Sequence, residues 1–174
     1  MKSYYSNGKL LLTGEYLALD GALSLALPTQ YGQYLHVEEI ELSKILWVSL
    51  DAHKNIWFET EFDIENNMLS KKDDDEISNR LLEIFKAAQQ LNSEFLNPSK
   101  GFRITTLLEF PKNWGLGTSS TLINNIANWA EVDPYKLLDL TFGGSGYDIA
   151  CAQNDTGITY QLTHNNVISR IATN

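Results

Sequence analysis

The chain has 174 residues, 43% hydrophobic and 20% charged, an ordinary composition for one globular domain with a real core. A net charge of −9 argues against a general nucleic-acid binder but not against a nucleotide, which a locally positive pocket can hold on an acidic protein. A single cysteine, Cys151, excludes an internal disulfide and offers no zinc pattern; with no signal segment and no apolar run of membrane-spanning length, the reading is a cytoplasmic protein with no membrane partner.

Residues 2–41 read as strands. Leu10-Leu11-Leu12 follows Gly8-Lys9, and Asp20-Gly21 is a turn signal between apolar flanks. Leu23, Leu25 and Leu27 alternate with smaller residues until Pro28, which ends that strand; Tyr34 to Ile40 forms another. Ile45–Leu50 and Ile56–Phe62 make a hairpin pair around His53-Lys54-Asn55. Asn66 to Asp75 is a polar loop, and its acid run, Asp73 to Glu76, reads as solvated charge favouring the N-terminus of the next helix rather than as a metal site. That helix shows Ile77, Leu81, Leu82, Phe85, Ala88 and Leu91 at three- and four-residue spacing and ends near Asn97-Pro98.

Phe102 to Phe110 reads as a strand, and Leu122, Ile123, Ile126, Ala127 and Ala130 as a helical stripe. Between them lies Pro111-Lys112-Asn113-Trp114-Gly115-Leu116-Gly117-Thr118-Ser119-Ser120-Thr121. Two glycines able to take positive φ sit where a helix begins and its unpaired N–H groups point outward, a donor-rich seat suited to phosphate. No Lys follows the glycines as in a P-loop, and Ser120 stands where a dinucleotide fingerprint needs a third glycine. The structural alternative is a loop glycine pair followed by a Ser or Thr N-cap. Asp133-Pro134 starts a further helix, with Leu137, Leu138 and Leu140 carrying it to Phe142. Gly143-Gly144-Ser145-Gly146 breaks it, Tyr147 to Ala152 reads as a short helix, and Ile158–Leu162 and Val167–Ile171 as closing strands. The organisation is α+β, one domain over residues 1–174, with a mostly antiparallel sheet and helices on one face.

Three separated clusters are too specialised for plain structure: Gly8-Lys9 through Gly14-Glu15-Tyr16 and Asp20-Gly21; Gly115 to Ser120; and Gly144-Ser145-Gly146-Tyr147-Asp148. In this order they resemble the three N-terminal motifs of the GHMP kinases, which include galactokinase, homoserine kinase, mevalonate kinase and phosphomevalonate kinase. The string Gly-Tyr-Asp-Ile-Ala also resembles a bacterial subgroup named for it. The resemblance spans residues 8–152 and implies a two-layer α+β fold with a left-handed β-α-β crossover, like a ribosomal-protein domain. It implies ATP and Mg²⁺ as cofactors and a small-molecule substrate, with members of the mevalonate pathway among the candidates. Gly115, Leu116, Gly117, Thr118, Ser119 and Ser120 would hold the ATP phosphates, with Ser119 also touching Mg²⁺. Asp148 would accept or orient the acceptor's proton, and Lys9 would stabilise the transferred group and lower the pKa of Asp148 by proximity.

Two departures stand out. Several members carry a second Mg²⁺ ligand, a Glu, where this sequence has Asp139 as the one nearby carboxylate. The family's C-terminal domain has no counterpart before Asn174, so the expectation is the N-terminal domain of a longer kinase, inactive alone. Structural alternatives stand beside each site residue: a solvated Lys9, an N-capping Asp148, and a Glu15 that ties the first hairpin together. Trp114 would either stack on an adenine or plug against the sheet. Cys151 reads as a small buried residue behind the site, and His36, His53 and His164 show no metal or triad spacing. The rival functions are a related ATP-dependent decarboxylase, a non-catalytic nucleotide-binding domain, and a ribosome-associated module of the same fold, which the acidic balance disfavours.

Overall fold

The computed structural model describes the chain apart from residues 15–16, 66–67, 72–73, 97–99, 163–167 and 173–174. The expectations for Glu15, Asp73, Asn97-Pro98 and His164 therefore lie outside the described residues. Among the described residues eight strands form one sheet: β1 (Lys2–Thr13), β2 (Ser24–Ile40), β3 (Lys44–Leu50), β4 (Ile56–Glu65), β5 (Met68–Lys71), β6 (Gly101–Leu108), β7 (Ile158–Leu162) and β8 (Ile168–Ala172). The order is β5-β4-β3-β6-β2-β7-β8, with β1 also paired to β2. The pair β3 and β6 runs parallel and the remaining pairs antiparallel. Four α-helices among the described residues complete the α+β fold: α1 (Glu76–Leu91), α2 (Thr118–Ala130), α3 (Pro134–Asp139) and α4 (Tyr147–Ala152).

Local chemistry explains most of these boundaries. In β3 the buried residues Ile45, Trp47 and Ser49 alternate with less buried neighbours, the pattern of a sheet with one covered face. The turn before β4 is held by the Asp51 carboxylate, which accepts from His53 N and Asn55 N, with Lys54 at φ 63°. Asp75 caps α1 by accepting from Ile77 N and Ser78 N, as the acid run anticipated. Asp133 caps α3 with Pro134 in the first helical position. Phe85 of α1 meets the edges or faces of Trp47, Phe62 and Trp129 at centroid distances of 5.8, 5.6 and 6.3 Å. That cluster joins β3, β4, α1 and α2 into the main core.

The structure corrects four of the expectations. Pro28 does not end a strand: β2 runs through it, paired with Lys9 of β1 on one edge, while on the other edge it lies between the stretches paired with β7 (Ser24–Ala26) and β6 (Gln33–Ile40), so its missing N–H costs no bond to either. The polar loop contains β5, a four-residue strand that backbone pairing with β4 stabilises without an apolar pattern. Helix α1 stops at Leu91, where Asn92 leaves helical geometry and its side chain donates to Ala130 O at 2.7 Å. Helix α3 stops at Asp139, well before Phe142.

One irregularity positions the site. Between Asn7 and Lys9 the β1–β2 register shifts. Before the shift Ser6 faces the helices, donating to Asn125 of α2 at 2.8 Å; after it Lys9 and Leu11 do. The shift is two residues wide, Asn7 pairing with Gly32 and Lys9 with Pro28, and beyond it the Lys9 side chain reaches Tyr147 of α4.

Candidate active site

The loop after β6 makes one 3₁₀ turn, Lys112–Trp114, and then passes Gly115 (φ 71°, ψ 19°) and Gly117 (φ 88°, ψ 47°). Both are left-handed, a region that favours glycine. Gly117 is the N-cap of α2 and no side chain caps that end. The hydroxyls expected to cap it instead turn back: Ser120 Oγ and Thr121 Oγ1 donate to Gly117 O at 2.9 and 3.0 Å. Thr121 N closes the first helical turn onto the same carbonyl at 3.0 Å. The amides of Thr118, Ser119 and Ser120 therefore precede the helical ladder, at the positively polarised end of a 13-residue helix. Ser119 is less buried than Ser120, which leaves the Ser119 hydroxyl as the one turned toward solvent.

Lys9 joins this loop to the third motif. Its backbone N donates to Leu116 O at 2.9 Å, and its stem lies against Gly117, where an added Cβ would sit 3.0 Å from Lys9 Cγ. Its ammonium donates to Tyr147 Oη at 2.7 Å and lies 3.7 Å from Asp148 Oδ1. The solvated-lysine alternative is thereby excluded. Asp148 is not an N-cap either: Gly146 (φ 84°) caps α4 and Asp148 falls in the first turn. An added Cβ at Gly146 would press on the Tyr135 ring at 3.0 Å and on Tyr160 Oη at 3.2 Å, so that corner admits only glycine. Tyr160, buried beneath, donates its hydroxyl to Ser145 O and anchors the loop.

Burial raises the Asp148 carboxyl above its ordinary value. Lys9 pulls it down, as expected from the sequence, but desolvation is the larger effect and the net direction is up. Oδ1 is buried, with Tyr147 and Lys9 set against the carboxyl, while the side chain as a whole stays 34% exposed. An ionisable carboxyl beside an ammonium and still reachable from solvent is a place for a proton-bearing group to approach. Cys151 is fully buried in the small cluster of Ala26, Ala150, Ile158 and Tyr160, and burial pushes its thiol up to about 12. That is the inert residue behind the site.

A cavity of about 350 Å³ opens beside the α2 N-terminus, lined by Trp57, Arg80, Thr118, Ser119, Leu122 and Phe142 among others. Trp57 Nε1 is buried there without a hydrogen-bond acceptor. The Lys112 ammonium lies 3.4 Å from the centre of the Trp57 ring, and the Arg80 guanidinium 5.5 Å from that of Phe142. Sequence reasoning missed Trp57, Arg80 and Phe142; they come from three distant segments and carry no local motif. Trp114 is 58% exposed and plugs nothing. Asp139 is exposed at the end of α3, and its carboxylate makes no hydrogen bond or ion pair among the described residues. No group of three or more His, Cys, Asp or Glu able to hold a metal occurs among the described residues. No helix of the described residues is long and apolar enough to cross a membrane.

No protein-family model and no curated protein matches the chain. Solved structures do match. A D-glycero-D-manno-heptose 1-phosphate kinase from Bacteroides thetaiotaomicron superposes with a TM-score of 0.70 at 16% identity over 99% of this chain and 60% of that one. The mevalonate kinase of Methanococcus jannaschii gives 0.70 at 14% identity, over 99% and 56%. The Streptococcus pneumoniae phosphomevalonate kinase, in complex with phosphomevalonate and AMPPNP, gives 0.65 at 16% identity, over 92% and 50%. The chain thus spans 50 to 60% of the length of these three neighbours, all small-molecule kinases. The fold of the chain is therefore the fold of part of each of these kinases.

Proposed function

We propose that residues 1–174 form the ATP-binding domain of a GHMP-type kinase. It transfers the γ-phosphoryl group of ATP to a hydroxyl or phosphate of a small metabolite of the mevalonate or sugar type. The observation that carries this reading is Lys9: one side chain touches the glycine loop, Tyr147 and Asp148 at once. Phosphoryl transfer needs little covalent chemistry from a protein, chiefly positioning and compensation of spread negative charge. The uncapped amides at Thr118 to Ser120 supply donors to the phosphates. The cavity holding Trp57 and Phe142 offers apolar and aromatic surface for the base. Asp148 takes the acceptor's proton as the new P–O bond forms and ADP departs, and Lys9 faces the negative charge of the group in transit.

Mg²⁺ bound with the nucleotide supplies charge neutralisation at the phosphates. It usually keeps several waters and takes few ligands from protein, so the exposed Ser119 hydroxyl would hold it without a preformed cluster. Nothing ties Asp139 to this cluster, and the reading does not use it as a ligand.

The test is calorimetric titration of the chain with Mg·ATP. Saturable one-site binding supports the reading, and no binding overturns it. Turnover is then sought in a polypeptide that also carries the remaining length of the neighbours, by ADP release across a panel of sugar alcohols, sugar phosphates, mevalonate and phosphomevalonate.

A further inference from the structure

We propose that a buried hydrogen-bond network, from Gln153 through Asn124, Ser6 and Asn125 to Gln33, fixes the phosphate-facing end of α2 against α4, with Ser6 as its central positioning residue. The purpose rests on the kinase reading; the geometry does not.

The network starts at the end of α4 and finishes on β2. The Gln153 side-chain amide donates to Asn124 Oδ1 at 3.0 Å, and the Asn124 amide donates to Ser6 Oγ at 2.9 Å. Ser6 donates to Asn125 Oδ1 at 2.8 Å, and the Asn125 amide donates to Gln33 O at 2.8 Å. All four bonds run in one direction, so each polarises the next. That direction is fixed at its far end, because Gln33 O is a backbone carbonyl and can only accept; a reversed Asn125 carboxamide would set oxygen against oxygen. The network joins the three segments that carry the glycine clusters: β1 through Ser6, α2 through Asn124 and Asn125, and α4 through its C-cap residue, Gln153.

Ser6, Asn124 and Asn125 are fully buried, and the two asparagines sit within the run of α2 that holds Ile123, Ile126 and Ala127 in the main core. Stability alone does not ask for carboxamides there, since apolar groups of the same shape can replace a buried hydrogen-bonded pair at little cost. What a fully paired polar network adds is a single arrangement of the elements it joins. Gln33 extends that hold to the glycine loop. Thr121 Oγ1 reaches Gln33 Oε1 at 2.7 Å, while Thr121 N closes onto Gly117 O at 3.0 Å. Thr121 and Asn125 are four residues apart and share one helix face, so β2 grips α2 from its first turn, directly after the free amides of Thr118 to Ser120. Those amides bind an anion well only while they are held in place beforehand. At the other end, Gln153 closes the helix that carries Asp148.

Ser6→Ala cuts the network at its centre by removing one oxygen. Gln153→Met cuts it at the solvent-reached end of α4. Leu69→Ala, in the core at β5 and outside the network, is the control for lost stability. The relative orientation of α2 and α4 is read from residual dipolar couplings of their amides, and Mg·ATP affinity by calorimetry, both at a temperature where every variant is folded. The expected result is a changed orientation and about tenfold weaker Mg·ATP binding in Ser6→Ala and Gln153→Met, with neither change in Leu69→Ala. An orientation or affinity that keeps the parent's value in either cut variant overturns the proposal, as does an equal loss of affinity in Leu69→Ala. Should Ser6→Ala not fold, Gln153→Met decides alone. Nucleotide binding by the unmodified chain with both cut variants unchanged sinks the positioning role and spares the kinase; no nucleotide binding by the unmodified chain sinks the kinase, and the orientation then decides the positioning.

Discussion

Replacing Gly117 by alanine, with Gly115→Ala as its control, tests the geometry of the loop quantitatively. Both glycines are left-handed, at φ 88° and 71°, so both substitutions carry the backbone cost of an L-residue there, about 1–2 kcal/mol. Their surroundings differ. A Cβ at Gly115 meets nothing within 4 Å. A Cβ at Gly117 lies 2.6 Å from Ser120 Oγ and 3.0 Å from Lys9 Cγ. Ser120 must then give up its 2.9 Å bond to Gly117 O, worth about 1 kcal/mol, and Lys9 must shift its stem. Gly117→Ala should therefore lose about 2–3 kcal/mol in all, at least about 1 kcal/mol more than Gly115→Ala. For a chain of this length that difference is about 2–4 °C in Tm, read by circular dichroism at equal concentration and pH. If the two variants melt together, or Gly115→Ala melts lower, the contact between Lys9 and the loop is not as described.

Asp148→Asn removes a carboxyl whose burial raises its pKa. The folded chain holds that proton more tightly than the unfolded one, so stability falls as pH rises from the ordinary carboxylate value through the raised one. The variant should lack this loss and melt no lower than the parent chain at neutral pH; a clearly lower Tm would mean the pair with Lys9 outweighs burial. In a polypeptide that turns over, the same change should cut the rate at least about a hundredfold, and near-normal turnover would remove Asp148 from the chemistry. Trp57→Leu should weaken Mg·ATP binding about tenfold by taking away aromatic surface of the cavity, and unchanged affinity in calorimetry would assign the cavity elsewhere. Cys151, buried and with its thiol pushed up to about 12, should resist Ellman's reagent under mildly alkaline conditions until the chain is unfolded. Rapid labelling of the native chain would contradict its placement.

Helix α1, the β3–β4 hairpin and the Asp133-Pro134 start were legible in the sequence because each rests on neighbours: apolar spacing, a capping carboxylate, a turn residue. The three glycine-bearing segments were legible for the same reason, since positive φ at Gly115, Gly117 and Gly146 is a demand each position makes locally. Other features were not. Pro28 reads as a stop until one knows which edges of β2 are paired beside it, and β5 has no apolar pattern because its stability comes from its partner strand. Trp57, Arg80 and Phe142 meet only across folded space.

From the sequence alone came an α+β domain with a phosphate-suited loop and a lone aspartate after glycines, together with a resemblance linking them. The tertiary structure decided that Lys9 and Tyr147, 138 residues apart, share a hydrogen bond, and that the Asp148 carboxyl lies beside them with one oxygen buried. Side chains so distant meet only through the order and pairing of the strands that carry them. Desolvation in turn depends on every atom packed around a group, which no local pattern records.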